Sequence, residues 1–176
     1  MNGIDFPRWK RFATGGRKPF AWFRQTPVRR IALVLIFAVI VLGTLNVSFH
    51  IALDRVRQSE HQMDLATASM MQGEYDDALD HYTRALDLNH RKRQAWLGKG
   101  LALMYLKRYD ESLASYERLI RLDPDNALAW QGKGMSLGFM GKYKEAIASY
   151  DQALKIDPGS QFIEIQRERL RSGQTP

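Results

Sequence analysis

Residues 93–126, RQAWLGKGLALMYLKRYDESLASYERLIRLDPDN, and residues 127–160, ALAWQGKGMSLGFMGKYKEAIASYDQALKIDPGS, are two copies of one 34-residue pattern. Trp96 and Trp130, Gly100 and Gly134, Tyr109 and Tyr143, Tyr116 and Tyr150, and Pro124 and Pro158 all recur at that interval. A third, more divergent copy, SEHQMDLATASMMQGEYDDALDHYTRALDLNHRK, precedes them at 59–92. With a fixed period of this size, each unit buries its apolar face only against its neighbours. The repeat therefore decides the fold before any single residue does.

Within 93–126, Trp96, Gly100 and Leu103 fall at helical spacing and mark a first helix. Ser112, Tyr116 and Leu119 recur at i, i+4 and i+7 on a second, with Tyr109 at the turn between them. Pro124 closes the unit, because proline lacks the helical N–H and pushes the residue before it out of the α region.

The pattern resembles the tetratricopeptide repeat, a pair of antiparallel helices every 34 residues. The resemblance covers 59–160 and implies an all-α solenoid of three repeats at 59–92, 93–126 and 127–160. It also implies small residues where two helices approach closely: Ala66, Gly100 and Gly134 on first helices, and Ala78, Ser112 and Ala146 on second helices. Ala85 and Ala153 near the end of the second helix are matched by the larger Leu119. The first copy has Gln62 for tryptophan and His90 for proline, as expected of a terminal repeat. Lys99 and Lys133 stand where the family usually has an aliphatic residue, so their stems are expected to pack while the ammonium groups reach out. Residues 161–172 read as a capping helix with Phe162, Ile165 and Leu170 inward, followed by a tail at 173–176.

Ahead of the repeats the composition changes. The 176 residues carry a net charge of +7, but eight cations (Arg8, Lys10, Arg11, Arg17, Lys18, Arg24, Arg29, Arg30) against Asp5 alone lie before residue 54. The rest of the chain is neutral, so the basic balance describes a leader at 1–30 and not the repeats. Trp9, Phe12, Phe20, Trp22 and Phe23 are interleaved with those cations, a combination suited to anionic lipid headgroups, and prolines and glycines interrupt any long helix. A disordered basic tail fits the same residues. From Ile31 to Leu53 no charge occurs, and 23 helical residues reach roughly 34 Å, enough to cross a bilayer. The segment reads as one transmembrane helix, with 54–58 as linker or helical continuation. A cleavable signal peptide also fits the run from Ile31 to Leu42, but the positive region is long for one and no A-x-A-like site follows. The charge asymmetry keeps the leader in the cytoplasm and puts the repeats on the other side of the cell membrane.

Family resemblance implies that a protein or peptide partner lies against the first helix of each repeat, at its positions 2, 5, 9, 12 and 13. Those are Glu60, Met63, Thr67, Met70 and Met71; Gln94, Leu97, Leu101, Met104 and Tyr105; and Leu128, Gln131, Met135, Gly138 and Phe139. Five methionines and two aromatics make an adaptable apolar lining, suited to an apolar or amphipathic segment. Some of these side chains would instead pad the joints between repeats. None is Lys, Arg or Asn, so the lining lacks the carboxylate clamp of the chaperone-tail-binding members of the family. Self-association into a scaffold is the second reading.

Chemistry finds little support. The absence of cysteine excludes disulfides, thiolate metal sites and a cysteine nucleophile. His50, His61, His81 and His90 show no metal-ligand spacing, and His50 beside Asp54 is incidental polarity. GKG at 98–100 and 132–134 lacks the flanks of a phosphate loop and lies inside a helix. We expect no enzyme, no cofactor and no metal. Nucleic acid has only the leader to hold it, and lipid competes for that charge.

Overall fold

The computed structural model describes residues 27–174, with side chains from Ile31 onward; the aromatic basic leader falls almost wholly outside them. Among the described residues there are seven helices and no strand: α1 (Pro27–Gln72), α2 (Tyr75–Leu88), α3 (Arg93–Tyr105), α4 (Tyr109–Leu122), α5 (Ala127–Phe139), α6 (Tyr143–Ile156) and α7 (Gln161–Arg171). The chain divides into two compact units at His50 and Ile51.

In the first unit, α1 begins at Pro27, a residue whose fixed φ and missing N–H suit the opening turn of a helix. Its large apolar side chains from Ile31 to Leu53 stand exposed, and the helix is long and apolar enough to cross a membrane by length and composition.

The second unit is a stack of helix pairs. Each of α3 to α7 packs on the helix before it in the chain, and the last part of α1 shares a core with α2 and α3 through Ala66, Met63 and Met70. In addition α3 meets α5 directly, whereas α4 and α6 make no comparable approach. The first helices of the pairs therefore form the inner row of a curved stack, and the second helices the outer row.

Small residues allow the close approaches. Ala66, Ala78, Ala85, Ala95, Ala102, Ala129, Ala146 and Ala153 are completely buried, with Leu103 and Leu119 filling the wider gaps. Buried hydroxyls are satisfied within the stack: Ser112 Oγ donates to the Gly100 carbonyl at 2.8 Å and lies 3.1 Å from Ser136 Oγ, and Ser59 Oγ donates to the Ala85 carbonyl at 3.2 Å. Left unpaired, each would cost about 1–3 kcal/mol.

The turn inside each pair is the same device three times. Gly73, Lys107 and Gly141, 34 residues apart, take positive φ, and the next residue's N–H returns to a carbonyl five residues back: Glu74 to Ser69, Arg108 to Leu103, Lys142 to Leu137. This left-handed exit satisfies carbonyls that the helix end would otherwise orphan. Between pairs a tryptophan serves instead. Trp96 Nε1 donates to the His90 carbonyl and Trp130 Nε1 to the Pro124 carbonyl, each at 2.8 Å, tying the connecting loop to the next helix. The bond uses only the backbone carbonyl, which is why His90 can stand where the later copy has proline.

Two expectations about side chains are met in part. The lysines do reach out along the tryptophans, with Nζ 5.8 Å from the Trp96 ring centre for Lys99 and 5.7 Å from Trp130 for Lys133. They also end on partners in the outer row, Lys99 on Thr83 Oγ1 at 3.1 Å and Lys133 on Glu117 at 2.9 Å. The capping helix turns Leu170 inward, as expected, but not the other two: Ile163 is the buried residue, at 1 % exposure, while Phe162 and Ile165 are 48 % and 56 % exposed. The reason is register. Residue 163 follows Ala95 and Ala129 by whole repeats, and both of those are fully buried, whereas 162 and 165 continue the inner-row positions of Leu128 and Gln131.

Candidate functional site

The candidate site is the inner row, and its backbone is brought close to the outer row by glycine. A Cβ added at Gly98 would fall 2.2 Å from the Tyr82 ring, at Gly132 2.4 Å from Tyr116, at Gly100 2.8 Å from Tyr116, and at Gly134 2.7 Å from Tyr150. Both glycines of each GKG are thus faces for tyrosine rings. Gly98 and Gly132 receive the ring of the preceding pair, Gly100 and Gly134 the ring of their own. Tyr116 lies between Gly100 and Gly132 and couples two repeats. Burial pushes the phenols of Tyr82, Tyr116 and Tyr150 up from their ordinary 10.0, Tyr150 to about 12, because the anion would lose water; the neighbouring hydroxyls of Thr67 and Ser112 offset part of this for Tyr82 and Tyr116.

With the helices so held, the expected lining residues divide into two groups. Met63 and Met70 pack against the core around Leu79, Tyr82 and Leu103, and Met135 packs against Tyr150, Ala153 and Ile163. Met104 Sδ accepts from Ser136 Oγ at 3.3 Å, Gln131 lies 3.9 Å from Met135 Sδ, and Thr67 Oγ1 donates to the Met63 carbonyl. Leu97 is half-buried and Gly138 buried. Met63, Met70, Met104 and Met135 thus join one helix to the next, while Thr67 and Gln131 make contacts within their own helices. Exposed apolar surface comes from Leu101, Tyr105, Leu128 and Phe139, and from Met71 at the first helix. Glu60 is tied to Lys92 by an ion pair and Gln94 is exposed.

Two tyrosines at the starts of outer helices, Tyr75 and the turn marker Tyr109, stack on this surface. Tyr75 stacks on Tyr105 with ring centres 4.5 Å apart and planes 4° apart, and Tyr109 stacks on Phe139 at 5.0 Å and 6°. Each pair joins the start of an outer helix to the end of the next inner one, and offset stacking of this kind adds about 0.5–1.5 kcal/mol beyond burial. The 30-residue separation of each pair was in the sequence, but only the stacking of successive pairs makes it a contact. Among the described residues no group of three or more His, Asp or Glu is placed to hold a metal ion.

Residues 63–127 and 97–161 each match the family model of the tetratricopeptide repeat, together more than half of the chain. The chain belongs to the tetratricopeptide repeat family. No curated protein matches it in sequence. Among solved structures, this tetratricopeptide repeat protein is similar to the tetratricopeptide domain of Arabidopsis OM64, at 22 % identity over 68 % of this chain and 98 % of that one, with a TM-score of 0.66. It is similar to the first tetratricopeptide domain of Spaghetti (RPAP3) bound to the HSP90 peptide SRMEEVD, at 18 % identity over 67 % and 94 %, TM-score 0.65. MamA aligns at 22 % identity over 66 % and 68 %, TM-score 0.64. At these identities the likeness establishes the fold, and the side chains of the inner row carry the functional argument.

Proposed function

We propose that this protein is a membrane-anchored interaction module whose inner helical row takes an apolar or amphipathic segment of a protein partner. The observation that carries the reading is the set of apolar side chains left exposed there, Leu101, Tyr105, Leu128 and Phe139, on helices whose other faces are committed to the core. Aromatic rings already fixed by stacking lose little freedom on binding, which favours them as anchors. Peptide capture by the Spaghetti domain is the same use of the fold. Its acidic HSP90 peptide is a poor guide to the ligand, because the fifteen expected lining positions of the three repeats hold no Lys, Arg or Asn. The partner's contribution is apolar contact first.

Anchoring rests on the exposed apolar side chains from Ile31 to Leu53 and on the eight cations that precede them. The positive side stays in the cytoplasm and the repeats face outward. Loss of a C-terminal tag to protease added to intact cells is expected, and protection until lysis would reverse the orientation. For the groove, Leu101→Glu with Leu128→Glu places two charges on exposed positions, sparing the core-packed Met135. Partners cross-linked by the native chain in its own membrane should disappear from the variant while its helical circular dichroism persists. Equal capture by both would move the binding face elsewhere.

A further inference from the structure

At the end of the inner row, α5, α6 and α7 enclose a pocket of about 180 Å³. Met135 and Phe139 from α5 and Phe162 and Leu170 from α7 form apolar walls, and Gln166 and Arg169 complete the lining. A cavity of roughly 150 Å³ accepts a benzene-sized group, so this space suits one leucine or phenylalanine side chain. The repeat register puts a cation beside it: residues 67, 101, 135 and 169 hold the same place on successive inner helices, as Thr67, Leu101, Met135 and Arg169.

The arginines of α7 are not equivalent. Arg167 pairs with Asp151 and Glu168, each at 3.1 Å, and Arg171 pairs with Glu168 at 3.0 Å and Asp151 at 3.4 Å. Arg169 forms no ion pair among the described residues and lines the pocket. We propose that this pocket receives an internal segment of the partner in which an apolar side chain is followed within a residue or two by Asp or Glu. The apolar group fills the space between Phe139 and Phe162, and the carboxylate meets the Arg169 guanidinium, whose planar fork of donors matches it. One guanidinium and one amide form a sparse polar set, suited to a side-chain carboxylate rather than to a chain terminus. The proposal rests on the inner row being the partner-binding face and adds the chemistry read at its end.

The test uses the full chain in detergent micelles and labelled peptide pools, acetylated and made both amidated and with a free C-terminus, random except for a central Leu-Glu, Leu-Gln or Ala-Glu pair. The Leu-Glu pool should bind roughly three- to fivefold better than Leu-Gln, the scale of one partly exposed ion pair. Arg169→Gln should erase that preference and keep the preference for Leu-Glu over Ala-Glu; Arg169→Lys should restore part of it. Equal binding of Leu-Glu and Leu-Gln by the native chain, or a preference that survives Arg169→Gln, overturns the proposal. So does a preference shown only by pools with a free C-terminus, or a concentration-dependent dimer that Arg169→Gln abolishes, which would make a chain end or a second copy the occupant. The Leu101→Glu, Leu128→Glu variant separates the two readings. Retained pool binding there with the Arg169 effect intact sinks the inner-row reading and leaves the pocket.

Discussion

Gly132→Ala sets two physical effects against each other. In a helix interior alanine is favoured over glycine by about 1 kcal/mol, so propensity alone makes the variant more stable. Against this, the new Cβ would lie 2.4 Å from the Cε1 and Cζ atoms of Tyr116, more than 1 Å inside the roughly 3.5–4.0 Å of ordinary carbon contact. The ring has nowhere to retreat, because it is 3 % exposed and its other face already lies against Gly100. Overpacking of a tight core typically costs 1–3 kcal/mol, and an overlap this large belongs at the upper end. The net expectation is a loss of about 2 kcal/mol, or roughly 8 °C in the thermal midpoint of residues 51–176 followed by circular dichroism. Tyr116→Leu supplies the control. In that background Gly132→Ala should be neutral or stabilising, giving a coupling of about 2–3 kcal/mol in a double-mutant cycle. A higher midpoint for Gly132→Ala alone, or additive effects of the two changes, would refute the account of Tyr116 as the joint between repeats.

The capping helix offers a comparison of neighbours: Ile163→Ala should cost about 2–4 kcal/mol in urea unfolding, and Ile165→Ala less than about 0.5, with the reverse order refuting the register argument. Stability should also fall in alkali. Below pH 10 Tyr150 is protonated in both states and its contribution is complete; above that the unfolded chain loses the proton first, so roughly 2–3 kcal/mol drains away as pH rises towards about 12. Tyr150→Phe should flatten that part of the profile, leaving the parts due to Tyr82 and Tyr116, and a native profile flat above pH 10 would contradict the burial of all three phenols.

The sequence by itself determined the period, and with it the fold class. Paired tryptophans, glycines, tyrosines and prolines 34 residues apart leave each unit no way to cover its apolar face except by stacking. The small residues at helix crossings were legible for the same reason, since a position repeated as Gly or Ala marks an approach too close for a larger side chain. What escaped were relations between units. GKG showed that a phosphate loop was absent but not that its first glycine receives a tyrosine from the preceding repeat. The stacking of Tyr75 on Tyr105 and Tyr109 on Phe139 needed the antiparallel packing that brings an outer helix's start to the next inner helix's end. Amphipathicity misassigned Phe162 and Ile165, because hydropathy identifies an apolar face without saying what covers it. Only the stacked structure decided that Ile163 is covered, that Phe162 and Arg169 share a pocket, and which of the inner-row residues remain free to meet a partner. Burial is a property of neighbours in space, and in a solenoid those neighbours come from the next repeat.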